Sequence, residues 1–338
     1  EESTLLADNQ LQHHPGDWWS QQPVLSAGEE SVALVWADSR DNRNYDRIYT
    51  TVWTPQGMVL QSAVISDQAN TKNPDISFIE EGYTVVWQTG SGNSNAAYDI
   101  SWARLDEDGL ISNRQLTLIG GPEASQRPKV MAWPHDDADA VVVWEGSIPS
   151  DIGERARRGI WAQLFNIDGT SVGEPVLLDP TVDLAQAPID PIVWPRHISL
   201  AVNQSSVLVS WEADYTGDQE VYSRSLGEAL NLGELRNLSE DGHASRHPVI
   251  KSTDDGFAVM WSDNRTGVPQ LTIRSLNLSG EITSDSRLIP TPLLRTFKPD
   301  FVVIAPDQYL ILFEGESVDE PLHNSQDRRT YLAEVSCP

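Results

Sequence analysis

The sequence is short of cysteine and of long apolar runs. Its 338 residues include one cysteine, Cys337, so no internal disulfide framework can form. No run approaches the roughly 18 consecutive apolar residues of a membrane-spanning helix, and no basic and apolar leader precedes Glu1. The chain opens without methionine, from which we expect a processed mature form. A lipid anchor attached before residue 1 is compatible with this start, but we expect no membrane insertion.

Positive charge is the next deficit. The chain has 23 Lys and Arg against 50 Asp and Glu, which gives a formal net charge of −27. Nucleic acids and anionic membranes carry the same sign, so this balance argues against both as partners. Such acidity is typical of solubility in salty surroundings or of cation binding.

Helical periodicity and catalytic motifs are also missing. No stretch keeps apolar residues at helical spacing over three turns, so we predict no helix. The sequence has no Gly-x-Ser-x-Gly elbow, no His-Glu-x-x-His and no phosphate-binding glycine loop, and we therefore assign no catalytic residue. An apolar content of 39% still permits a sizeable core.

Repetition is what the sequence has in abundance. A buried strand that ends in tryptophan and runs into a polar loop with Asp and Arg occurs at residues 32–40 and again at 256–265. Weaker copies of the same strand end at Trp87, Trp144, Trp211 and Phe313. Six copies indicate a repeat protein.

Each copy divides into four short strands. The first begins near a proline, the second is the tryptophan strand, the third alternates apolar and polar residues, and the fourth follows a glycine turn. The opening prolines are Pro23, Pro74, Pro128, Pro195, Pro248 and Pro299. This pattern predicts an all-β, six-bladed β-propeller with four antiparallel strands per blade. The expected blades of this single domain, 1–338, span approximately residues 20–66, 71–119, 125–179, 195–239, 245–290 and 296–335.

The last repeat stops after its third strand, and the N-terminus offers the missing one. Residues 3–8 resemble a fourth strand and precede the first opening proline, as a fourth strand should. We therefore predict that residues 3–8 complete the last blade, since closure removes open sheet edges. The strand-ending tryptophans are expected to pack as core between neighbouring blades, where a large rigid ring buries much apolar area.

The repeats resemble those of a known group. Trp-x-Asp-x-Arg followed by Asp46-Arg47-Ile48-Tyr49 and a glycine turn is similar to the repeats of secreted and periplasmic bacterial six-bladed propellers, including the Tol-type propellers. The resemblance covers nearly the whole chain, although only the copies at Trp36 and Trp261 keep both Asp and Arg. It implies an extracellular, periplasmic or outer cell-surface location. It says little of function, because propellers host unrelated activities.

One face of such a propeller would carry the long, polar loops, namely the inter-blade connections and the second-to-third loops. Long loops on a rigid scaffold usually carry binding, so we assign function to this face. Basic residues beside the opening prolines form an unexpected cationic ring there. They either pair with neighbouring acidic side chains or bind an anionic ligand such as a carboxylated or sulfated glycan or an acidic peptide. The candidate ligand-binding residues are Arg40, Lys72, Arg127, Arg196, His197, Arg246, His247, Lys298, Trp19 and Trp194.

Two further features of this face leave alternatives open. Trp19 and Trp194 lie in inter-blade connections, where an aromatic ring either stacks on sugar or packs the loop onto the rim. Six of the seven histidines also map here, as metal ligands or as solvated loop residues, but no spacing matches a zinc pattern.

Calcium is the one cofactor the sequence suggests. Asp38, Asn42, Asn44 and Asp46 alternate oxygen-bearing side chains in a way that can wrap a hard cation. The stretch lacks the central glycine and bidentate glutamate of a helix-loop-helix calcium loop, and Arg40 interrupts it.

Two functions follow from these patterns. The first is a secreted, periplasmic or cell-surface interaction module that binds a protein partner or an anionic glycan on the long-loop face, as a subunit of a surface assembly. The alternative is a glycan-active hydrolase or lyase that uses Asp or Glu with Arg or His at the central funnel. The missing catalytic motifs favour the module.

Overall fold

The computed structural model describes residues 20–40, 46–66, 70–90, 98–119, 124–148, 157–179, 195–215, 217–240, 242–291, 293–317 and 329–336. In these ranges the strands follow one another along the chain in six antiparallel sheets. The fold is an all-β, six-bladed β-propeller, which confirms the predicted class. The predicted strand at residues 3–8 lies outside the described residues.

Helix is almost absent, as predicted. The one helical element in the described ranges is a 3-10 turn at Glu228–Leu230. No helix in that part of the chain is long and apolar enough to cross a membrane.

The chain divides into two compact units. The first unit comprises Glu1–Pro149 and Ala162–Pro175, and the second comprises Ser150–Trp161 and Val176–Pro338. The prediction of a single domain over 1–338 stays a prediction.

The first three sheets are simple antiparallel meanders. The first sheet consists of β1 (Ser20–Ala27), β2 (Val32–Asp38), β3 (Arg47–Trp53) and β4 (Val59–Val64). The second consists of β5 (Thr71–Ile79), β6 (Gly82–Gly90), β7 (Tyr98–Asp106) and β8 (Ile111–Ile119). The third consists of β9 (Ser125–Ala132), β10 (Ala140–Ile148), β11 (Arg157–Phe165) and β12 (Ser171–Leu177).

The fourth, fifth and sixth sheets lie in the second unit. The fourth consists of β13 (Arg196–Asn203), β14 (Ser206–Ala213), β15 (Glu220–Gly227), β16 (Asn231–Leu232) and β17 (Arg236–Asn237). The fifth consists of β18 (Ser245–Thr253), β19 (Gly256–Asp263), β20 (Gln270–Asn277) and β21 (Arg287–Leu288). The sixth has three described strands, β22 (Leu293–Ala305), β23 (Gln308–Ser317) and β24 (Arg329–Ser336).

The outer strand of the fourth sheet is broken into two pieces, β16 and β17, which both pair with β15. The guanidinium of Arg224 donates from Nε to the carbonyl oxygen of Gly233 in this break at 2.8 Å. It also donates from Nη1 to the carbonyl oxygen of Leu178, just after β12, at 2.8 Å. Arg274 in the fifth sheet donates in the same way to Leu238 at 2.6 Å. These arginines therefore tie the third strand of one sheet to the end of the preceding sheet.

The second strands are among the most deeply buried strands. Every residue of β6 and β19 is buried, because sheets cover both of their faces and select a nearly continuous apolar run. Trp87 packs in one cluster with first-sheet residues such as Val35, and Trp261 packs in another with fourth-sheet residues such as Leu208. Trp87 and Trp261 therefore pack between neighbouring sheets as predicted, whereas Trp36 clusters with Leu34, Tyr49 and Trp53 of its own sheet.

Candidate functional site: the loop edge

The first strand of every sheet carries the same β-bulge. The register of each first strand against its second strand shifts at equivalent positions, two residues before the place of the opening proline. The residue after the shift has a positive φ of 44° to 57° in all six sheets, at Gln22, Asn73, Arg127, His197, His247 and Lys298. Bulges re-aim side chains, so a polar side chain recurs at the same place in each sheet.

The position of the bulge shows that the predicted opening proline of the fourth sheet is wrong. In five sheets the positive-φ residue precedes the predicted opening proline, but in the fourth sheet Ile198 follows His197. Pro195 therefore stands three residues earlier than the other opening prolines, and Ile198 takes the structural place of the proline.

We call the end of each unit where first strands begin and second strands end its loop edge. In the second unit the loop edge is organised by Glu212, which directly follows Trp211 on β14 and is fully buried. Its carboxylate accepts hydrogen bonds from Nε of Arg196 at 2.6 Å and from the backbone N–H of His247 at 2.6 Å. Nδ1 of His197 lies 3.0 Å from the same carboxylate. Burial opposes ionisation, but the interactions with His197 and His247 outweigh it and lower the pKa of Glu212 to about 2.

The two histidines of neighbouring sheets face each other. The ring centroids of His197 and His247 lie 4.3 Å apart with the planes inclined by 47°. Burial, reinforced by the nearby His197, Lys298 and Arg246, lowers the pKa of His247 to about 4, and Glu212 only partly opposes this. Nδ1 of His247 is shielded from solvent and has no hydrogen-bond partner among the described residues.

The described basic residues near Glu212 and His247 differ in whether they have an acidic partner. Lys298 pairs with Glu314 at 3.0 Å and Arg196 pairs with Glu212, whereas Arg246 is exposed and forms no ion pair with any described residue. Of these three permanent cations, two therefore have a carboxylate partner among the described residues, in a chain whose net charge is −27.

The loop edge of the first unit has a different chemistry. The amide of Gln22 bonds to the side chain and backbone of Asn73, at 2.5 and 2.8 Å. Asn73 in turn donates to Gln88 at 2.7 Å, and the same oxygen of Gln88 lies 3.3 Å from the backbone nitrogen of Arg127. The basic residues here have acidic partners, with Arg127 at 2.6 Å from Glu145 and Lys72 at 3.6 Å from Asp46.

Among the predicted ligand-binding residues, Arg40 has an internal partner. Its guanidinium pairs with Asp38 at 2.6 Å and lies 4.7 Å from the ring centroid of Tyr49. Trp19 and Trp194 lie outside the described residues. The structure therefore brings together Arg196, His197, Arg246, His247 and Lys298 at one edge, and Lys72 with Arg127 at another.

The predicted calcium set is only partly described. Asp38 accepts from Trp36 at 3.1 Å as well as from Arg40, and Asp46 accepts from Gln21 at 3.1 Å. Asn42 and Asn44 lie outside the described residues. Within the described ranges no three His, Cys, Asp or Glu side chains group as a metal site, and calcium stays a prediction.

A second buried carboxylate lies just after β12. Asp179 accepts from the backbone N–H of Ile160 at 2.7 Å and from the hydroxyl of Tyr215, which in turn accepts from Trp211 at 3.0 Å. Burial raises the pKa of Asp179 to about 7. Ser66 and Ser239 cap the equivalent N–H groups of Ile48 and Val221, so an ionisable residue here replaces a neutral hydroxyl.

A cavity of about 230 Å³ lies away from the loop edge, beside the turn between β22 and β23. It is lined by Ile273, Ser275, Thr283, Ser284, Arg287, Asp307 and Tyr309. Because this turn is at the far end of β22 from Lys298, Asp307 supplies a comparison position remote from the loop edge.

No protein-family model matches the chain, and no curated protein matches it either. Solved structures do match the chain. The chain is similar to the Penicillium chrysogenum α-L-arabinanase complexed with arabinobiose, with 13% identity over 93% of each chain and a TM-score of 0.57. It is also similar to the β-propeller domain of the Trilobed protease from Pyrococcus furiosus, with 11% identity over 94% of this chain and 83% of that one and a TM-score of 0.54. At these identities the similarities show the propeller fold alone.

Proposed function

We propose that the protein is an extracytoplasmic interaction module that binds an anionic glycan at the loop edge of its second unit. The observation that carries the proposal is the group of three cations around Glu212, Arg196, Arg246 and Lys298, of which Arg246 is exposed and forms no ion pair with any described residue. Arginine offers a planar fork that can bind two oxygens of a carboxylate or sulfate at once.

Three features support this choice of ligand. The basic group formed by Arg196, Arg246 and Lys298 attracts anions to one place, whereas the net charge of −27 repels them elsewhere. The edge is built on bulged strands rather than on flexible loops, so its side chains are held in register. The resemblance of the repeats to secreted and periplasmic propellers fits a location where acidic polysaccharides occur.

A glycan array tests the proposal. The array should contain neutral, carboxylated and sulfated oligosaccharides of equal length, and the wild-type protein should bind only acidic ones. Arg246→Gln should weaken binding about five- to tenfold, because one charge-assisted contact is lost.

Lys251→Gln is the matched control, since it removes the same charge from β18 but near the other end of the strand, where Lys251 pairs with Asp300 at 3.1 Å. Equal losses in the two variants, or equal binding of neutral glycans by the wild type, would contradict the proposal. Capture of an acidic protein instead of any glycan would assign the edge to a protein partner.

The second candidate is a glycan-active enzyme, and the structural similarity to an arabinanase is the observation that favours it. Glu212, with a pKa of about 2, stays ionised and suits a base or nucleophile, not an acid. Asp179 has a pKa of about 7, but it is buried against Tyr215. Release of reducing sugar from arabino-oligosaccharides that disappears in Glu212→Gln would favour the enzyme. Turnover that is equal in both proteins would be assigned to a contaminant.

A further inference from the structure

We propose that His247 takes up a proton when the anionic group of an acidic sugar binds beside it, so that the loop edge holds its ligand more tightly as the pH falls. This inference rests on the proposed function and adds to it the residue that senses the ligand's charge. Proton uptake converts the neutral imidazole of His247 into an imidazolium, and the proton comes from the solvent or buffer.

The backbone places the imidazole at the edge. His247 is the positive-φ residue of the fifth-sheet bulge, with φ 55°, and its N–H is anchored on Glu212 at 2.6 Å. Because this hydrogen bond uses the backbone N–H, the imidazole ring of His247 remains able to interact with its neighbours. The ring of His197 lies 4.3 Å away, and Nδ1 of His247 is shielded from solvent and has no hydrogen-bond partner among the described residues.

Charges from every neighbouring element act on this ring. Arg196 and His197 come from β13, Glu212 from β14, Arg246 from β18 itself and Lys298 from β22. Among these groups, the carboxylate of Glu212 favours protonation of His247, but it also pairs with Arg196 and His197. In the free protein the cations and burial prevail, and His247 is neutral at neutral pH with a pKa of about 4.

A bound anion reverses this balance. A negative charge within about 4 to 6 Å raises the pKa of an imidazole by about 1 to 3, because it stabilises the charged form. The same anion offsets the repulsion from Arg246 and Lys298. Since binding and protonation are linked, the affinity should rise about tenfold between pH 7.5 and pH 5 for a pKa that moves from about 4 to about 6.

Calorimetric titration with trigalacturonate tests the inference. Titrations at pH 5.5 in buffers of different ionisation enthalpy should show net proton uptake of about 0.5 to 1 per bound ligand. His247→Asn should lose both the proton uptake and the tenfold gain in affinity between pH 7.5 and pH 5. Asparagine tolerates the left-handed backbone that this position requires, so the bulge is preserved. His243→Asn, in the preceding connection, is the matched histidine control and should behave as wild type.

A second readout does not depend on the variant. The Cε1–H resonance of His247 in the wild type should titrate with a midpoint about 2 pH units higher in the presence of ligand. A sulfated trisaccharide serves as the second probe, and uptake with either probe supports the inference. Binding without uptake, or a pH dependence that persists in His247→Asn, overturns the inference and leaves the proposed function standing. No binding of any acidic probe by the wild type overturns the proposed function itself.

Discussion

The indole Nε1 of Trp261 donates a hydrogen bond of 3.1 Å to the carboxylate of Asp263, two residues further along the chain. Arg265 holds the same carboxylate from the other side, with its backbone N–H at 2.8 Å and its guanidinium at 2.5 Å. Trp36, Asp38 and Arg40 repeat these contacts in the first sheet at 3.1, 2.7 and 2.6 Å. The Trp-x-Asp-x-Arg motif therefore forms a latch, which here means a set of hydrogen bonds that holds the end of the second strand to the loop after it.

Asp263→Asn should destabilise the protein by about 3 kcal/mol, because it leaves the guanidinium of Arg265 beside a buried neutral amide. Burial alone would raise the pKa of Asp263, but the contacts with Arg265 outweigh it and lower that pKa, so the carboxylate is ionised at neutral pH. Urea unfolding at pH 7 measures the loss.

The control for this latch is Asp254→Asn, which changes an exposed aspartate in the turn between β18 and β19. It should stay within about 0.5 kcal/mol of wild type. Equal stability of the two variants would contradict the latch.

The raised pKa of Asp179 predicts a loss of stability with rising pH. Its carboxyl group has a pKa of about 7 when folded and 3.8 as its ordinary value, so the folded state binds the proton more tightly. The cost of ionising Asp179 is absent below pH 3.8 and grows to about 4 kcal/mol by pH 7. Asp179→Ser copies Ser66 and Ser239 and should remove this cost.

The measurement is the thermal midpoint of unfolding at intervals from pH 4 to pH 8. Wild type should lose more stability over this range than Asp179→Ser, and the two curves should diverge towards pH 8. Asp254→Asn should run parallel to wild type. Parallel curves for wild type and Asp179→Ser would show that this carboxyl is not the titrating group.

Two glycines open second strands at points where no side chain fits. A Cβ atom on Gly82 would overlap the carbonyl oxygen of Leu105, and one on Gly256 would overlap that of Leu276. Either change to alanine should cost about 1 to 3 kcal/mol, because the paired third strand must move. Gly227→Ala is the control, since its nearest neighbour would be 3.6 Å away. Denaturant midpoints measure all three, and a tolerated Gly256→Ala would refute the close strand approach.

Much of the fold could be predicted from local patterns. The tryptophan strands are buried on both faces, so their apolar runs and the repeat period indicated six sheets. The bulges were missed because none of the six positive-φ residues is a glycine, and only Asn73, His197 and His247 are of types enriched in this conformation. Pro195 was predicted to be an opening proline because it lies near the start of the first strand. The register shift of that strand instead lies after Arg196, at His197.

Only part of the candidate site could be predicted from the sequence. The sequence identifies the basic residues beside the prolines, but it does not single out Glu212, which lies in a copy that lacks the Asp and Arg of the Trp-x-Asp-x-Arg motif. A signal was present: Gln88, Glu145, Glu212 and Glu314 each directly follow the strand-ending aromatic residue, and each pairs in register with the first strand beside the bulge. Side-chain distances decide whether such a carboxylate pairs with the neighbouring cations. The spacing of residues along the sequence does not give these distances.

The salt dependence of glycan binding tests the central claim most directly. The dissociation constant for trigalacturonate should be measured from 50 to 300 mM NaCl for wild type, Arg246→Gln, Lys251→Gln and Asp307→Asn. If Arg246 contacts the ligand, the slope of log Kd against log salt should be smaller in Arg246→Gln than in wild type, because one salt-screened ion pair is lost. The slopes of the other two variants should equal that of wild type. A wild-type slope in Arg246→Gln, or no salt dependence at all, would contradict an anionic glycan site at this edge.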